Sequence, residues 1–448
     1  MADDDQSNRE LAVPSGRMSR FLRMGSLATG IAGNVALNGA RELARGQRPD
    51  LRDLMITPRN IQRITDQLAQ MRGAAMKMGQ LMSMDGGDVL PPELTEIMGK
   101  LRNDAHFMPP KQLREVLNAH WGKDWLPKFE KFNVRPIAAA SIGQVHHARL
   151  KDGRDMAIKV QYPGVARSID ADVANVGTLM RLSGLMPQGF DPAPYLHAAR
   201  VQLHEETDYA REGHYLRRFA DRLAGSPDFV VPAYYEDWSS DAVLAMEFIA
   251  GQSIETLAEA DQATRDRAMT LLLRLTFQEL FDWHEMQTDP NFANYLYDPD
   301  TAKIVLLDFG ATRVIDPALA EHYRRLMAAG LTGDRDGLWD ASLAMGLVTD
   351  DMPADHTARI RAMMDLGAET FAAADVYDFA DRGLSQAMQR EGEALVADGF
   401  VPPPVPMDIL YIQRKFGGLF LLATRLKAKI AIKELFAPYL NARRAAAE

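Results

Sequence analysis

Hydrophobic residues recur at every third or fourth position between residues 61 and 84, which predicts one long helix with a single buried face. Its start is indicated by Thr57-Pro58, a cap residue followed by proline at the first helical position. The helix contains Lys77-Met78-Gly79-Gln80, where Lys77 and Gln80 are one turn apart on a shared side. Further helices are predicted over residues 92–102, 110–121, 170–182, 194–219 and through most of the chain after residue 254.

The pattern changes to strands and turns from Pro136 onward. A turn at residues 151–153 leads to Met156-Ala157-Ile158-Lys159, the pattern of a strand whose lysine pairs with nucleotide phosphates. The residues before this strand have the spacing of the phosphate-binding loop G-x-G-x-x-G-x-V, with alanine in the first two glycine places. The candidate loop residues are Ala138, Ala139, Ala140, Ser141, Gly143 and Val145.

Two more strands are predicted over residues 229–235 and 242–248. The second runs into a candidate interlobe hinge, where the backbone could hydrogen-bond an adenine ring. The hinge residues are Met246, Glu247 and Phe248. The mainly helical remainder of the chain follows directly.

The segment from residue 287 to residue 310 contains two acidic residues and an asparagine in the order that is typical of a phosphoryl-transfer site. Asp289 is followed five residues later by Asn294, and a hairpin turning at residues 298–300 leads to an apolar strand that ends at Asp308-Phe309-Gly310. Such a site needs hard oxygen ligands for Mg²⁺. We therefore predict that Asn294 and Asp308 bind the metal while Asp289 faces the attacking group. Each of these motifs alone is a weak indication of function. The phosphate-loop and lysine motifs, however, lie upstream of them in the order that a kinase requires.

Acidic residues on the predicted helix over 194–219 supply candidate partners for the two lysines. A buried lysine at the phosphates needs a carboxylate to hold it. Glu206 and Glu212 would lie about 240° apart on an ideal helix, so they cannot serve the same lysine. Lys77 and Lys159 could each take one of them.

The amino-acid composition indicates which kinds of molecule the chain can bind and what chemistry it can use. The chain has 448 residues, is 47% hydrophobic and carries a net charge of -10, which argues against nucleic-acid binding. The absence of cysteine excludes disulfides and thiolate chemistry. No signal peptide and no apolar run of about 18 residues is visible, so we predict a cytoplasmic protein without a transmembrane span. Arginines flank an uncharged run over residues 25–40, which would either lie on an anionic membrane surface or pack on the domain.

Together these motifs resemble the UbiB family of atypical kinases, the AarF-domain proteins linked to coenzyme Q biosynthesis. The resemblance runs from about residue 17 to the C-terminal helices. It rests on K-x-G-Q at residues 77–80, the alanine-rich loop, M-A-I-K-V-Q-Y-P-G-V, E-x-D-Y-x-x-E at residues 206–212, Q-T-D-P-N-x-x-N and L-D-F-G. Many members have histidines where this chain has Gln287 and Asn291, which leaves Asp289 as the evident base.

The resemblance implies an α+β, bilobal protein-kinase-like fold with an N-terminal helical extension that carries K-x-G-Q and a mainly helical C-lobe. It implies binding of ATP or ADP with Mg²⁺, pairing of Lys159 with Glu212, and insertion of Lys77 and Gln80 into the catalytic cleft. Glu206 and Asp208 would anchor Lys77. The implied segments are a leader with a membrane-surface helix (1–50), the extension (51–130), the N-lobe (131–250) and the C-lobe (251–448).

The function implied is an ATPase or ATP-dependent phosphotransferase that supports ubiquinone biosynthesis, peripheral on the membrane. Its partners would be adenine nucleotide, a membrane surface or isoprenoid lipid, ubiquinone-biosynthesis proteins and a second copy in a homodimer. The chain reaches the next helix start at Asp316-Pro317 within about six residues of the D-F-G motif, and no A-P-E follows. This leaves almost no room for the segment on which protein kinases dock peptides. A nucleotide-gated lipid-binding scaffold and a small-molecule phosphotransferase remain alternatives.

Overall fold

The structure is a computed structural model that describes Thr65, Leu68 and residues 71–82, 107–182 and 192–440. The predicted leader and the predicted helix over residues 92–102 lie outside these residues. The chain divides into two compact units, Met1–Arg217 with Ala233–Phe248 and Arg218–Pro232 with Ile249–Glu448. The four segments expected from the sequence stay a prediction.

The first unit contains an antiparallel sheet of five strands. The strands are β1 (Phe129–Phe132), β2 (Ala138–Ala139), β3 (Gly143–Leu150), β4 (Asp155–Gln161) and β6 (Val243–Glu247). They pair in the order β1-β3-β4-β6, with β2 added to β3. The helices of this unit are α1 (Arg72–Met82), α2 (Pro110–Trp121), α3 (Val165–Leu182), α4 (Ala193–Glu206) and most of α5 (Tyr209–Arg222).

Apolar side chains from the sheet and α2 form the core beside this sheet. Strand β4 contributes Met156, Ile158 and Val160, all of which are buried. Trp125 and Phe129 pack with Trp238 in the same cluster, and the Phe129 and Trp238 ring centroids are 4.9 Å apart. Because alternate residues of a strand point to opposite faces, the burial of Ile158 in this core directs Lys159 to the other face of β4.

The second unit combines short strands with long helices. Its strands are β5 (Phe229–Val230), β7 (Gln252–Ser253), β8 (Glu285–Gln287), β9 (Tyr295–Asp298), β10 (Lys303–Leu306), β11 (Thr312–Val314), β12 (Tyr377–Asp378) and β13 (Lys429–Ile430). Its helices are α6 (Gln262–Phe277), α7 (Pro317–Thr332), α8 (Arg335–Ala344), α9 (Ala354–Ala373), α10 (Gly383–Ala397), α11 (Met407–Leu426) and α12 (Ile432–Leu440). A π-helical turn over Gln278–Trp283 extends α6.

Pairing in the second unit places the predicted catalytic residues near strand ends. Strands β5, β10, β9 and β7 form one sheet in that order, and β8 pairs with β11. Asp289 follows β8, Asn294 precedes β9, and Asp308 follows β10. Since β9 and β10 form an antiparallel hairpin in which Leu306 pairs with Tyr295, the start of one strand and the end of the other lie side by side.

Several local predictions are confirmed. The turns at residues 151–153 and 298–300 each join antiparallel strands. Helix α7 begins at Pro317, and the Asp316 side chain accepts a hydrogen bond from the Ala318 N–H. The prediction of one helix over residues 194–219 is wrong, because α4 ends at Glu206 and α5 begins at Tyr209. In the part of the chain that the structure describes, no helix is both long enough and apolar enough to cross a membrane.

We expect Gly143→Ala to destabilise the β3–β4 pair, because a Cβ at this position would lie 2.3 Å from the Val160 carbonyl oxygen. Backbone cannot yield as a flexible side chain can, so the free energy of unfolding should fall by about 2 kcal/mol or more. Urea unfolding of the full chain measures the loss. Gly392→Ala is the control, since its Cβ would meet no atom within 4 Å. A Gly143→Ala protein as stable as the control would contradict the expectation.

Candidate active site

The alanine-rich loop is the turn of the β2–β3 hairpin in the first unit. Ala138 pairs with Val145 and Ala139 with Gln144, and the Ala140 N–H donates to the Gly143 carbonyl at 2.9 Å. This closes a tight turn over residues 140–143. The close approach of Gly143 to Val160 explains why this position keeps its glycine.

Lys159 and Glu212 form a buried ion pair in the first unit. The Lys159 ammonium donates to both carboxylate oxygens of Glu212, at 2.9 and 3.0 Å. Both residues are buried, and the ammonium also lies 5.4 Å from the centre of the Tyr209 ring. Lys159 pairs with Val145 across β3, so β4 places it next to the predicted phosphate loop. Its role toward nucleotide phosphates stays a prediction.

Lys77 forms a second ion pair, with Glu206 at the end of α4. The other Glu206 oxygen accepts a hydrogen bond from the Ser141 hydroxyl at 2.5 Å. Helix α1 also approaches the loop directly, since a Cβ on Gly73 would lie 3.1 Å from the Ser141 carbonyl oxygen. Glu206 therefore connects the K-x-G-Q helix to the alanine-rich loop. Gln80 lies in α1, but its side chain is outside the described residues.

The remaining predicted residues of the first unit have these positions. Asp208 is exposed and accepts from the Arg211 N–H at 2.9 Å, at the start of α5. Met246 pairs with Ala157 in the sheet, and the Glu247 N–H donates to the Ala233 carbonyl. The Phe248 N–H donates to the Asp155 carbonyl at 2.9 Å. The anchoring role of Asp208 and the adenine-binding role of the other three residues stay predictions.

Asp289, Asn294 and Asp308 are held by short-range contacts in the second unit. The Asn294 Nδ2 donates to Asp289 Oδ2 at 3.1 Å, and the Asp308 Oδ1 accepts from the Gly310 N–H at 2.9 Å. Asn294 and Asp308 line one cavity with Gln287, Tyr295 and other side chains of this unit. Asn294 and Asp308 are 14 positions apart in the sequence, and the hairpin of β9 and β10 brings them to the same cavity.

These donors fit a magnesium ion. Because the Asn294 amide nitrogen is directed at Asp289, the amide oxygen is the atom that Asn294 offers to a cation. Asp308 contributes a carboxylate to the same cavity. Amide and carboxylate oxygens are the ligands that Mg²⁺ takes from proteins, usually only one or two of them beside nucleotide phosphates. The assignment of Asn294 and Asp308 as metal ligands stays a prediction.

Three residues of this site were missed by the sequence analysis. Arg414 forms an ion pair with Asp289, with its Nη2 2.7 Å from Oδ1. Lys415 is buried and donates to the Gln287 Oε1 at 2.9 Å and to the Tyr295 hydroxyl at 2.6 Å. Glu279, on the π-helical turn, lines the same cavity as Lys415.

The buried charges around the cavity perturb each other. Burial raises the pKa of Glu279 to about 7, although the neighbouring Lys415 opposes this shift. Burial also acts to lower the pKa of Lys415, but Tyr295 and Glu279 outweigh it and the pKa is raised. Lys415 is therefore a persistent positive charge in contact with Gln287 and Tyr295.

The hydrophobic pattern of α11 indicates that Lys415 is buried. Ile412, Lys415, Leu419, Leu422 and Leu426 recur at helical spacing, and all are buried. A lysine on an otherwise apolar stripe predicts a buried charge that needs partners. Nothing in the sequence indicates that those partners are Gln287 and Tyr295, more than 100 positions away.

Comparison with known proteins identifies relatives of the chain. The model of the ABC1 atypical kinase-like domain matches residues 100–342. The mitochondrial atypical kinase COQ8 of Saccharomyces cerevisiae is 37% identical over 427 residues, covering 95% of this chain and 85% of the yeast protein. The mitochondrial atypical kinase COQ8B of Rattus norvegicus is 38% identical over 432 residues, covering 96% and 81%.

A solved structure supports the fold. The complex of a Mycobacterium tuberculosis protein with erythromycin superposes with a TM-score of 0.58 at 24% identity, covering 80% of this chain and 89% of that chain. Fold and sequence together define a kinase-type enzyme that uses ATP. The chain belongs to the ABC1, or UbiB, family of atypical kinases. The family and the kinase-like α+β fold predicted from the sequence are thereby confirmed.

Proposed function

We propose that this chain binds ATP and ADP with Mg²⁺, hydrolyses ATP, and supports the biosynthesis of coenzyme Q or a related isoprenoid lipid at a membrane surface. The observation that carries the enzymatic part is the set Asp289, Asn294 and Asp308. Two of them line one cavity and the third is hydrogen-bonded to Asn294. A lipid-binding scaffold needs none of these three side chains, so the set favours catalysis.

The chain's own residues account for the parts of a phosphoryl-transfer site. Mg²⁺, when bound, would neutralise phosphate charge and withdraw electrons from the transferred group. Asn294 and Asp308 would hold the metal through their oxygens. Lys159, fixed by Glu212, would offer its ammonium to nucleotide phosphates, and Asp289 would orient the attacking water or hydroxyl. Ala138, Ala139 and Ala140 make the phosphate loop stiffer than glycines would, which predicts slow turnover.

The lipid part of the proposal rests on the family resemblance and on sequence features. The relatives compared above are named as mitochondrial atypical kinases. Six arginines flank the uncharged run over residues 25–40, which lies outside the described residues. Basic residues beside an apolar segment favour an anionic membrane surface. Homodimerisation and contact with ubiquinone-biosynthesis proteins belong to the same proposal.

We expect anionic phospholipid vesicles to bind the purified full chain, because each basic residue near the surface contributes about 1 kcal/mol of attraction, and we expect the bound protein to turn over ATP at least about threefold faster. The measurement is ADP release with Mg²⁺-ATP, in the presence of anionic vesicles or of vesicles made of neutral lipid alone. Stimulation should fall as salt is added, since screening weakens surface electrostatics.

Three other outcomes would change the proposal. Equal turnover with anionic, neutral or no vesicles would remove the membrane part. ADP release that requires an added acceptor and yields a phosphorylated product would favour a small-molecule phosphotransferase. No turnover under any condition, with nucleotide binding intact, would favour a nucleotide-gated scaffold.

A further inference from the structure

Helix α11 contacts the segment over residues 287–295, which carries Asp289 and Asn294, at three positions that lie within about one turn of each other. Arg414, Lys415 and Gly418 are on the side of the helix that faces residues 287–290. All of these residues belong to the second unit. The helix lies more than 60 residues beyond residue 342, where the family match ends.

Arg414 and Asn294 together occupy both oxygens of Asp289. Arg414 Nη2 lies 2.7 Å from Oδ1, and the Asn294 Nδ2 lies 3.1 Å from Oδ2. The side chains of Arg414 and Asp289 are 8% and 18% exposed, so this ion pair is only weakly screened by water. A carboxylate held at both oxygens cannot rotate. Arg414 therefore fixes the orientation of the residue predicted to face the attacking group.

Lys415 contacts both ends of the loop that carries Asp289 and Asn294. It donates to Gln287, the last residue of β8, and to Tyr295, the first residue of β9. The buried ammonium thus spans the loop that carries Asp289 and Asn294. Burying a lysine is costly unless it is paired and hydrogen-bonded, which makes these two contacts necessary for the packing of α11.

Gly418 brings the helix against Pro290 without an intervening side chain. A Cβ on Gly418 would lie 2.2 Å from the Pro290 Cβ, although ordinary contact begins near 3.4 Å. Pro290 follows Asp289 directly, and its ring cannot bend away as a long side chain can. Because this contact would have to open from 2.2 Å to at least 3.4 Å, any residue larger than glycine would displace the segment by about 1 Å.

We propose that α11 is a positioning element of the active site, in which Arg414, Lys415 and Gly418 set the placement of Asp289 relative to Asn294. The inference rests on the proposed ATP hydrolysis, which gives Asp289 its task. It assigns a part in turnover to a helix outside the matched domain. None of the three residues need contact the nucleotide.

Two adjacent glycines of α11 provide a matched test. A Cβ on Gly417 would meet no atom within 4 Å, whereas one on Gly418 would collide with Pro290. Both substitutions by alanine give the same gain in helix propensity. We expect Gly418→Ala to lower kcat about 100-fold, the effect of a 1 Å misplacement, with the KM for Mg²⁺-ATP unchanged. Gly417→Ala should retain the kcat and KM of the wild type.

Hydrogen exchange in the full-length protein gives a second readout that does not depend on activity. Gly418→Ala should speed exchange of the backbone amides over residues 291–296, and Gly417→Ala should not. If the wild type turns ATP over but the two variants have equal kcat and equal exchange, the inference is overturned and the proposed function stands. If the wild type does not turn ATP over, the proposed function fails, and the exchange rates alone decide whether α11 positions the segment.

Arg414 allows a test that leaves the helix packing in place. Arg414→Lys keeps a positive charge near Asp289, while Arg414→Met keeps only the apolar stem. We expect Arg414→Met to lower kcat strongly at unchanged KM and Arg414→Lys to recover part of the loss. Equal activity of Arg414→Met and wild type would overturn the role of Arg414. Arg414→Lys no better than Arg414→Met would assign it to packing and not to the charge.

Discussion

Asp308→Asn is expected to reduce Mg²⁺-dependent ATP turnover by more than about 100-fold, the scale of losing one group that stabilises charge in the transition state. The substitution preserves size and replaces a carboxylate by an amide. The Asn side-chain oxygen can still accept from the Gly310 N–H, as Asp308 Oδ1 does at 2.9 Å, so the local turn should persist. Only the negative charge offered to a cation is lost. Steady-state ADP release by the full chain measures the effect.

A matched control is present on the neighbouring hairpin. Asp300 lies in the exposed turn between β9 and β10, and Asp300→Asn should leave turnover unchanged. Nucleotide affinity supplies a separate readout. Mg²⁺ should strengthen ADP binding by the wild type and by Asp300→Asn, but have little effect on Asp308→Asn. Full turnover by Asp308→Asn would show that this carboxylate is not the metal ligand, and the proposed assignment would have to be withdrawn.

Breaking the Lys159–Glu212 pair should be the most destabilising change to a polar contact in the first unit. Lys159→Met removes the cation that contacts both oxygens of the buried Glu212 carboxylate, and Glu212→Leu removes the carboxylate that holds the buried Lys159 ammonium. Removing one partner of a buried pair costs about 3–5 kcal/mol, whereas replacing both by apolar groups is often nearly neutral. The double variant should therefore recover most of the stability that each single variant loses.

Denaturant unfolding of the four proteins completes this double-mutant cycle. The comparison pair is Arg217 and Glu236, whose side chains are 50% and 76% exposed and 3.0 Å apart, so Arg217→Met should cost less than about 1 kcal/mol. ATP turnover distinguishes stability from chemistry, because the double variant should be stable yet inactive. Single variants as stable as wild type would show that the pair is not desolvated. An active double variant would show that Lys159 does not contact the phosphates.

Local motifs were predictable because their contacts are local. The strand that carries Lys159 was predicted from its M-A-I-K pattern, and the turn at residues 298–300 from its turn residues; both are present. The start of α7 was predicted from Asp316-Pro317, where the aspartate caps the helix. Each of these features depends on interactions within a few residues, which a sequence displays directly.

The break between α4 and α5 shows where helical periodicity misleads. The charged run over residues 194–219 was predicted as a single helix, so Glu206 and Glu212 were compared by angle around one axis. Asp208 accepts from the Arg211 N–H, which is the contact of a residue that starts a new helix. With two helices, the glutamates reach different lysines because of their different axes. Thr207-Asp208 was an available cap signal within the run.

The contacts of α11 could not be predicted from the sequence at all. Arg414 is 125 positions from Asp289, and Lys415 is 128 positions from Gln287. No periodicity or spacing rule connects residues at such separations, because tertiary packing alone brings them together. Only the presence of a cation on the apolar stripe of α11 was visible in advance.

The packing of Gly418 on Pro290 determines where the chain can be shortened without disturbing the residues around Asp289. A fragment that stopped at residue 342 would retain every motif by which the family is identified, since the match covers residues 100–342. It would nevertheless lose the whole of α11, and with it Arg414, Lys415 and the surface that Pro290 rests on. With the positioning role proposed for α11, the recognisable domain ends earlier in the chain than the unit needed for catalysis.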